Sequence, residues 1–217
     1  MTGRRAWIGL SLALLAVGCG TPPKEYFYTL SDYTLSDHTL SDHTLGDYTL
    51  GDLATGDAAA AGSDYSVAIA SVSVPEGVDR PQMVVRAGGH RVEMSELHRW
   101  AEPLKSEIPR VVAVHLRRAL RTARIATADQ SASLDADYRI AIDVQRFESL
   151  LAERVTIEAL WSVRAAEGGR ARTGRSFVSE PARGPDHEAL AAAHGRALGQ
   201  VAGELAGAIR SLRSTGP

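Results

Sequence analysis

The sequence predicts an α+β domain, a two-layer sandwich in which a mainly antiparallel sheet has two main helices packed on it. Three observations lead there. Between Tyr138 and Ser179, three segments rich in β-branched and aromatic residues are separated by turn signals, and the first alternates cleanly. Two longer segments, Ser106–Ala123 and Asp186–Leu212, repeat their apolar residues at helical spacing. Each of these elements is apolar on one side only, so sheet and helices must bury those sides against one another.

The first strand is read over Ser66–Val74, where Val67, Ile69, Val72 and Val74 are the larger apolar members; the alternation slips phase near Ala70, as at a bulge. Pro75–Pro81 is a loop by its prolines and glycine. Two short strands, Gln82–Ala87 and Arg91–Met94, flank a Gly88-Gly89 hairpin signal. The first helix is capped by Ser106, with Pro109 in its first turn. Its apolar stripe is Ile108, Val111, Val112, His115, Leu116, Ala119 and Leu120, with His115 at the boundary.

Tyr138, Ile140, Ile142 and Val144 alternate with Arg139, Ala141, Asp143 and Gln145, a half-buried strand. Val155–Val163 and Arg170–Ser179 complete an antiparallel meander, with Gly168-Gly169 turning between them. The last helix buries Leu190, Ala197, Leu198, Val201, Leu205, Ile209 and Leu212.

These elements fill residues 65–217; the first 64 residues read differently. Arg4 and Arg5 precede a 13-residue apolar run, Ala6–Gly18, and then Cys19, the one cysteine of the chain. Thirteen residues fall short of the roughly 20 that cross a bilayer but suit a signal peptide. Ala16-Val17-Gly18-Cys19 is similar to the lipobox of bacterial lipoproteins, in which the thiol is acylated and the signal is cut before it. Residues 1–18 are therefore expected to be a signal peptide and Cys19 the lipidation site, carrying palmitate-type chains. Gly20 stands where an aspartate would retain an enterobacterial lipoprotein in the inner membrane, which favours the periplasmic face of the outer membrane.

From Tyr28 the chain runs YTLSD, YTLSD, HTLSD, HTLGD, YTLGD and then a degraded LATGD. A pentapeptide solenoid needs a small residue where this repeat has Tyr or His, and the Gly-rich calcium pattern is missing. The tract is too polar to offset chain entropy. Residues 19–64 are accordingly expected to be a lipidated low-complexity tether, with a reach of about 35–40 Å and a limit near 150 Å.

The formal net charge is −2, but residues 65–217 hold 18 acids and 21 bases, too even a balance for a nucleic-acid partner. There is no GxGxxG, Walker loop, HExxH or GxSxG pattern. His187 and His194 lie seven apart on one helix, but two ligands without a third do not make a zinc site. No metal, cofactor or catalytic residue is nominated, and a non-enzymatic role is expected.

Three segments carry a resemblance. Val74–Arg86 reads VPEGVDRPQMVVR, Arg99–Leu104 reads RWAEPL, and Tyr26–Leu30 reads YFYTL soon after the cysteine. Together they resemble the PqiC-like family of ABC-transport auxiliary lipoproteins. The resemblance implies an outer-membrane lipoprotein, a non-catalytic docking accessory of an MCE-type lipid transport system. Its implied partners are a PqiB-like MCE-domain protein and an inner-membrane ABC permease, with a homo-oligomer left open. The alternative is an envelope lipoprotein that regulates a cell-wall or secretion complex. Arg80, Pro81, Gln82, Arg99 and Trp100 are the motif residues nominated for partner contact, by their place in loops and edges. Against that, Arg80-Pro81 could simply fix a loop, and Trp100 is expected to be a core anchor.

Overall fold

The computed structural model describes residues 23–30, 65–121, 124–133 and 135–214. Cys19 and the pentapeptide repeat beyond Leu30 lie outside the described residues. The strands are β1 (Tyr26–Tyr28), β2 (Val67–Ser73), β3 (Gln82–Arg86), β4 (Val92–Trp100), β5 (Ile125–Thr127), β6 (Tyr138–Leu150), β7 (Arg154–Ala165) and β8 (Ala171–Pro181). The helices are α1 (Leu104–Leu120) and α2 (His187–Ser214), and a 3-10 turn spans Ser131–Ser133.

The α+β sandwich has two mixed sheets. The larger runs β5-β2-β6-β7-β8 and the smaller β1-β4-β3. The meander β6-β7-β8 is antiparallel throughout, as its alternation requires. β2, however, pairs parallel with both β5 and β6, and its register shifts between Ile69 and Ser71, where the sequence pattern slips. The β2–β5 pair is parallel because β3, β4 and α1 lie between them and return the chain to the same end of the sheet, and the segment holding the 3-10 turn Ser131–Ser133 returns it again before β6. α2 packs on β7 and β8, α1 on β2 and β5, and the helices pack on each other. One core joins both sheets and both helices, from Leu30 and Met83 to Leu205 and Ile209.

Two local expectations are corrected. α1 starts at Leu104, not Ser106: Pro103 occupies the cap position without a side-chain bond, and its carbonyl accepts from Ser106 and Glu107 N–H at 2.9 and 3.0 Å. Pro109 thus sits in the second turn. β4 runs on to Trp100, well past Met94, because it widens through a bulge whose residues break the alternation.

The third correction concerns the N-terminus. Tyr26–Tyr28, assigned by sequence to the tether, is a strand of the domain, parallel to β4 with Tyr26 opposite His98 and Tyr28 opposite Trp100. Leu30, which ends this segment, is only 2% exposed. Its N–H donates to the buried Glu107 carboxylate at 2.6 Å, and its carbonyl lies against Gly195 of α2.

Candidate functional site

The small sheet gathers all three motif segments. Its inner face is built from Met83 and Val85 of β3 and Trp100 of β4, all buried. Trp100 is 5% exposed and meets Phe147 and His194 edge-on, with ring centroids 6.1 and 6.0 Å apart. Its N–H donates to the Pro81 carbonyl at 2.7 Å. The structure therefore places Trp100 in the core and Pro81 in a backbone tie between the two motifs.

Register fixes the other face, because directly opposed residues point the same way. Gln82 opposes Arg99, which opposes Phe27; Val84 opposes Met94; Arg86 opposes Val92. Phe27 is 61% and Met94 51% exposed. Arg80 reaches onto this face, its Nη1 donating to Met94 Sδ at 2.8 Å, while its Nε is buried with no hydrogen-bond partner. Gln82 Nε2 lies 3.5 Å from Glu96, and Arg99 lies 3.7 Å from Glu96 and 3.9 Å from Glu25. Arg80 and Gln82 of one motif and Arg99 of the other thus rim one outward face with an apolar centre. Among the described residues, five of the nine exposed large apolar side chains belong to this sheet: Tyr26, Phe27, Val92, Met94 and Leu97.

Sequence reasoning missed the ring stack that clamps β1. His98 and His187 lie face to face at 3.8 Å, the Tyr28 hydroxyl bonds His98 Nδ1 at 2.7 Å, and Tyr26 stacks on His98 at 5.2 Å. Burial, and then the neighbouring His98, push His187 below the usual histidine range. Burial and the nearby Asp186 and Glu188 push Tyr28 upward. The aromatic run Tyr26-Phe27-Tyr28 was the available signal, since such residues favour a pleated, half-buried surface. His187 and His194, paired by spacing in the sequence, serve different contacts: His194 is fully buried, stacks on Phe147 at 3.9 Å and bonds Ser149 Oγ at 2.9 Å. Burial pushes its pKa down to about 3. Among the described residues, no three His, Cys, Asp or Glu side chains converge as metal ligands. No described helix is long and apolar enough to cross a membrane.

Comparison with known proteins bears on this arrangement. The family model for the ABC-type transport auxiliary lipoprotein component matches residues 48–206. No curated protein matches. Among solved structures, protein XCC0632 from Xanthomonas campestris, of the DUF330 family, is 26% identical with a TM-score of 0.57, over 70% of this chain and 88% of its own. An uncharacterized protein shares the fold at 16% identity and TM-score 0.57, over 66% of this chain and 90% of its own.

Proposed function

Because this chain belongs to the family of ABC-type transport auxiliary lipoprotein components, we propose that it is a non-catalytic docking accessory of an MCE-type lipid transport system. In this reading Cys19 carries the acyl chains, the domain hangs from the periplasmic face of the outer membrane, and an MCE-domain protein served by an inner-membrane permease is the partner. Two or three chains on one cysteine give stable residence where a single chain would not.

The observation that carries the reading is the convergence of the three motif segments. Tyr26–Leu30, Val74–Arg86 and Arg99–Leu104 are separated by the repeat tract and by a hairpin, yet they assemble into one small sheet. That sheet has a packed inner face and an outward face holding exposed Phe27 and Met94. Such an arrangement suits contact, since it presents apolar area rimmed by polar groups.

The test is co-purification of the lipidated chain with an MCE-domain protein and its permease from solubilised envelopes. The expected result is a complex that survives washing, together with a Cys19→Ser form that no longer fractionates with membranes. Failure of the MCE-domain protein to co-purify, with the chain intact and acylated, overturns the transport assignment.

A further inference from the structure

We propose that the outward face of the β1-β4-β3 sheet lies on the bilayer that holds Cys19, with Phe27 and Met94 entering the headgroup layer. The inference rests on the lipoprotein reading above and adds to it the face that meets the membrane.

Chain length makes the first argument. Cys19 lies seven residues before Tyr26. Seven residues span at most about 25 Å when fully extended. Tyr26 itself is fixed in the domain by pairing with β4, and Leu30 by its bond to Glu107. The 34 residues from 31 to 64 cannot lengthen this connection. They leave the domain at Leu30 and re-enter it at Tyr65, and both of those residues are buried in the same core. Both ends of residues 31–64 are thus held in one core, and the connection from Cys19 to the domain shrinks from the tether expected over residues 19–64 to residues 20–25. An acylated Cys19 keeps the small sheet within that short distance of the lipid surface.

Surface chemistry makes the second argument. Exposed large apolar groups concentrate on the sheet nearest the anchor. Phe27 and Met94 share its outward face, with Phe27 61% and Met94 51% exposed. An exposed aromatic ring beside an apolar side chain, with arginines around them, suits the boundary between acyl chains and headgroups. Arg80 and Arg99 rim the same face, with Glu96 and Glu25 3.7 and 3.9 Å from Arg99, so both signs of charge face the headgroups; in this arrangement Arg80 meets headgroup phosphate and the carboxylates meet the ammonium of phosphatidylethanolamine. A second attachment of this kind adds to the acyl chains and fixes the orientation of the domain, which acyl chains alone leave free.

The experiment uses the full lipidated chain in vesicles of phosphatidylethanolamine and phosphatidylglycerol. With Cys19 acylated, a cysteine introduced by Phe27→Cys, Met94→Cys or, on the large sheet, Phe177→Cys is the one reactive thiol. All three side chains are exposed, so the substitutions spare the core. Each is labelled with a polarity-sensitive dye and quenched by nitroxide-bearing lipid. The expected result is a blue shift and several-fold stronger quenching at 27 and 94 than at 177. Equal, water-like signals at all three positions in vesicle-bound protein overturn the proposal while leaving the anchor intact. Protein that neither floats with vesicles nor carries fatty acyl mass fails the lipoprotein reading instead. A blue shift at 27 that persists without vesicles, in a species of doubled mass, assigns the face to a second copy and overturns the proposal too.

Discussion

At the scale of single residues, burial without compensation has measurable consequences. His194 is held neutral by its surroundings: Phe147 covers one ring face, Ser149 takes Nε2, and Nδ1 is buried with no hydrogen-bond partner. Its pKa in the fold is about 3, against an ordinary 6.5. The unfolded chain therefore binds a proton at His194 below about pH 6.5, and the folded chain does so only near pH 3. The stability that the neutral ring supplies is complete above about pH 6.5 and is lost as the pH falls, by about 5 kcal/mol once both pKa values are passed. In His194→Phe, this dependence should weaken: urea midpoints at about pH 7.5 and pH 5 should differ less in the variant than in the parent. A glycine makes the opposite case, where a missing atom matters. The Trp161 ring lies directly over Gly174, its register partner on β8, and donates its indole N–H to Ser176 at 2.9 Å. A Cβ at 174 would occupy the space of that ring. Gly174→Ala should cost about 1–3 kcal/mol by overpacking, with an altered near-ultraviolet circular dichroism signal from the displaced indole.

At the scale of elements, the strands and helices that the sequence revealed are those whose own side chains dictate the period. β6 alternates because its inner residues Ile140, Ile142 and Val144 all enter the core, and α2 buries every residue of its predicted stripe. β1 and β5 are three residues each, too short for any period to show, and their strand character comes from partners distant in sequence. The same cause hid the outward face. Gln82 and Arg99 become neighbours only through the β3–β4 register, which no local pattern encodes. One local signal did exist. Glu107 falls within the apolar stripe of α1, and an acid buried there needs a donor. That donor is the Leu30 N–H, which makes Glu107 the lock of β1. Glu107→Ala should leave the amide unsatisfied and cost about 1–3 kcal/mol, while Glu107→Gln, which keeps an acceptor oxygen, should cost less. Gly195→Ala should release the same segment by another route, because a Cβ there would come within 2.5 Å of the Leu30 carbonyl oxygen. Hydrogen exchange should show Tyr28 and Leu30 amides opening faster in both Ala variants, with β6 and β7 amides unchanged.

At the scale of the whole molecule, the proposed acylation of Cys19 makes the distance between bilayer and domain depend on which segment connects them. Along the chain, 45 residues lie between Cys19 and Tyr65, and the repeat looks like reach. In space, the domain has already begun at β1, and the repeat joins two points of one folded body. The two possibilities part when the repeat is shortened. Excising Tyr33–Asp52 removes 20 residues and leaves 14 between Leu30 and Tyr65. If the repeat were a tether, the domain would move closer to the bilayer. As an internal loop, its loss should leave the distance from a label at Phe177→Cys to the vesicle surface unchanged. Stability should rise, because a loop cut from 34 residues to 14 closes at lower entropic cost, by about 0.8 kcal/mol. The mirror experiment inserts a flexible run of about ten Gly and Ser residues between Gly20 and Thr21. With Cys19 acylated, that insertion lies between the lipid and β1, so it should lengthen the label-to-surface distance and weaken lipid quenching at Phe27→Cys. Both measurements test one arrangement: in the proposed reading the acylated Cys19 reaches the domain through residues 20–25, while Leu30 and Tyr65, at the two ends of residues 31–64, lie in one core.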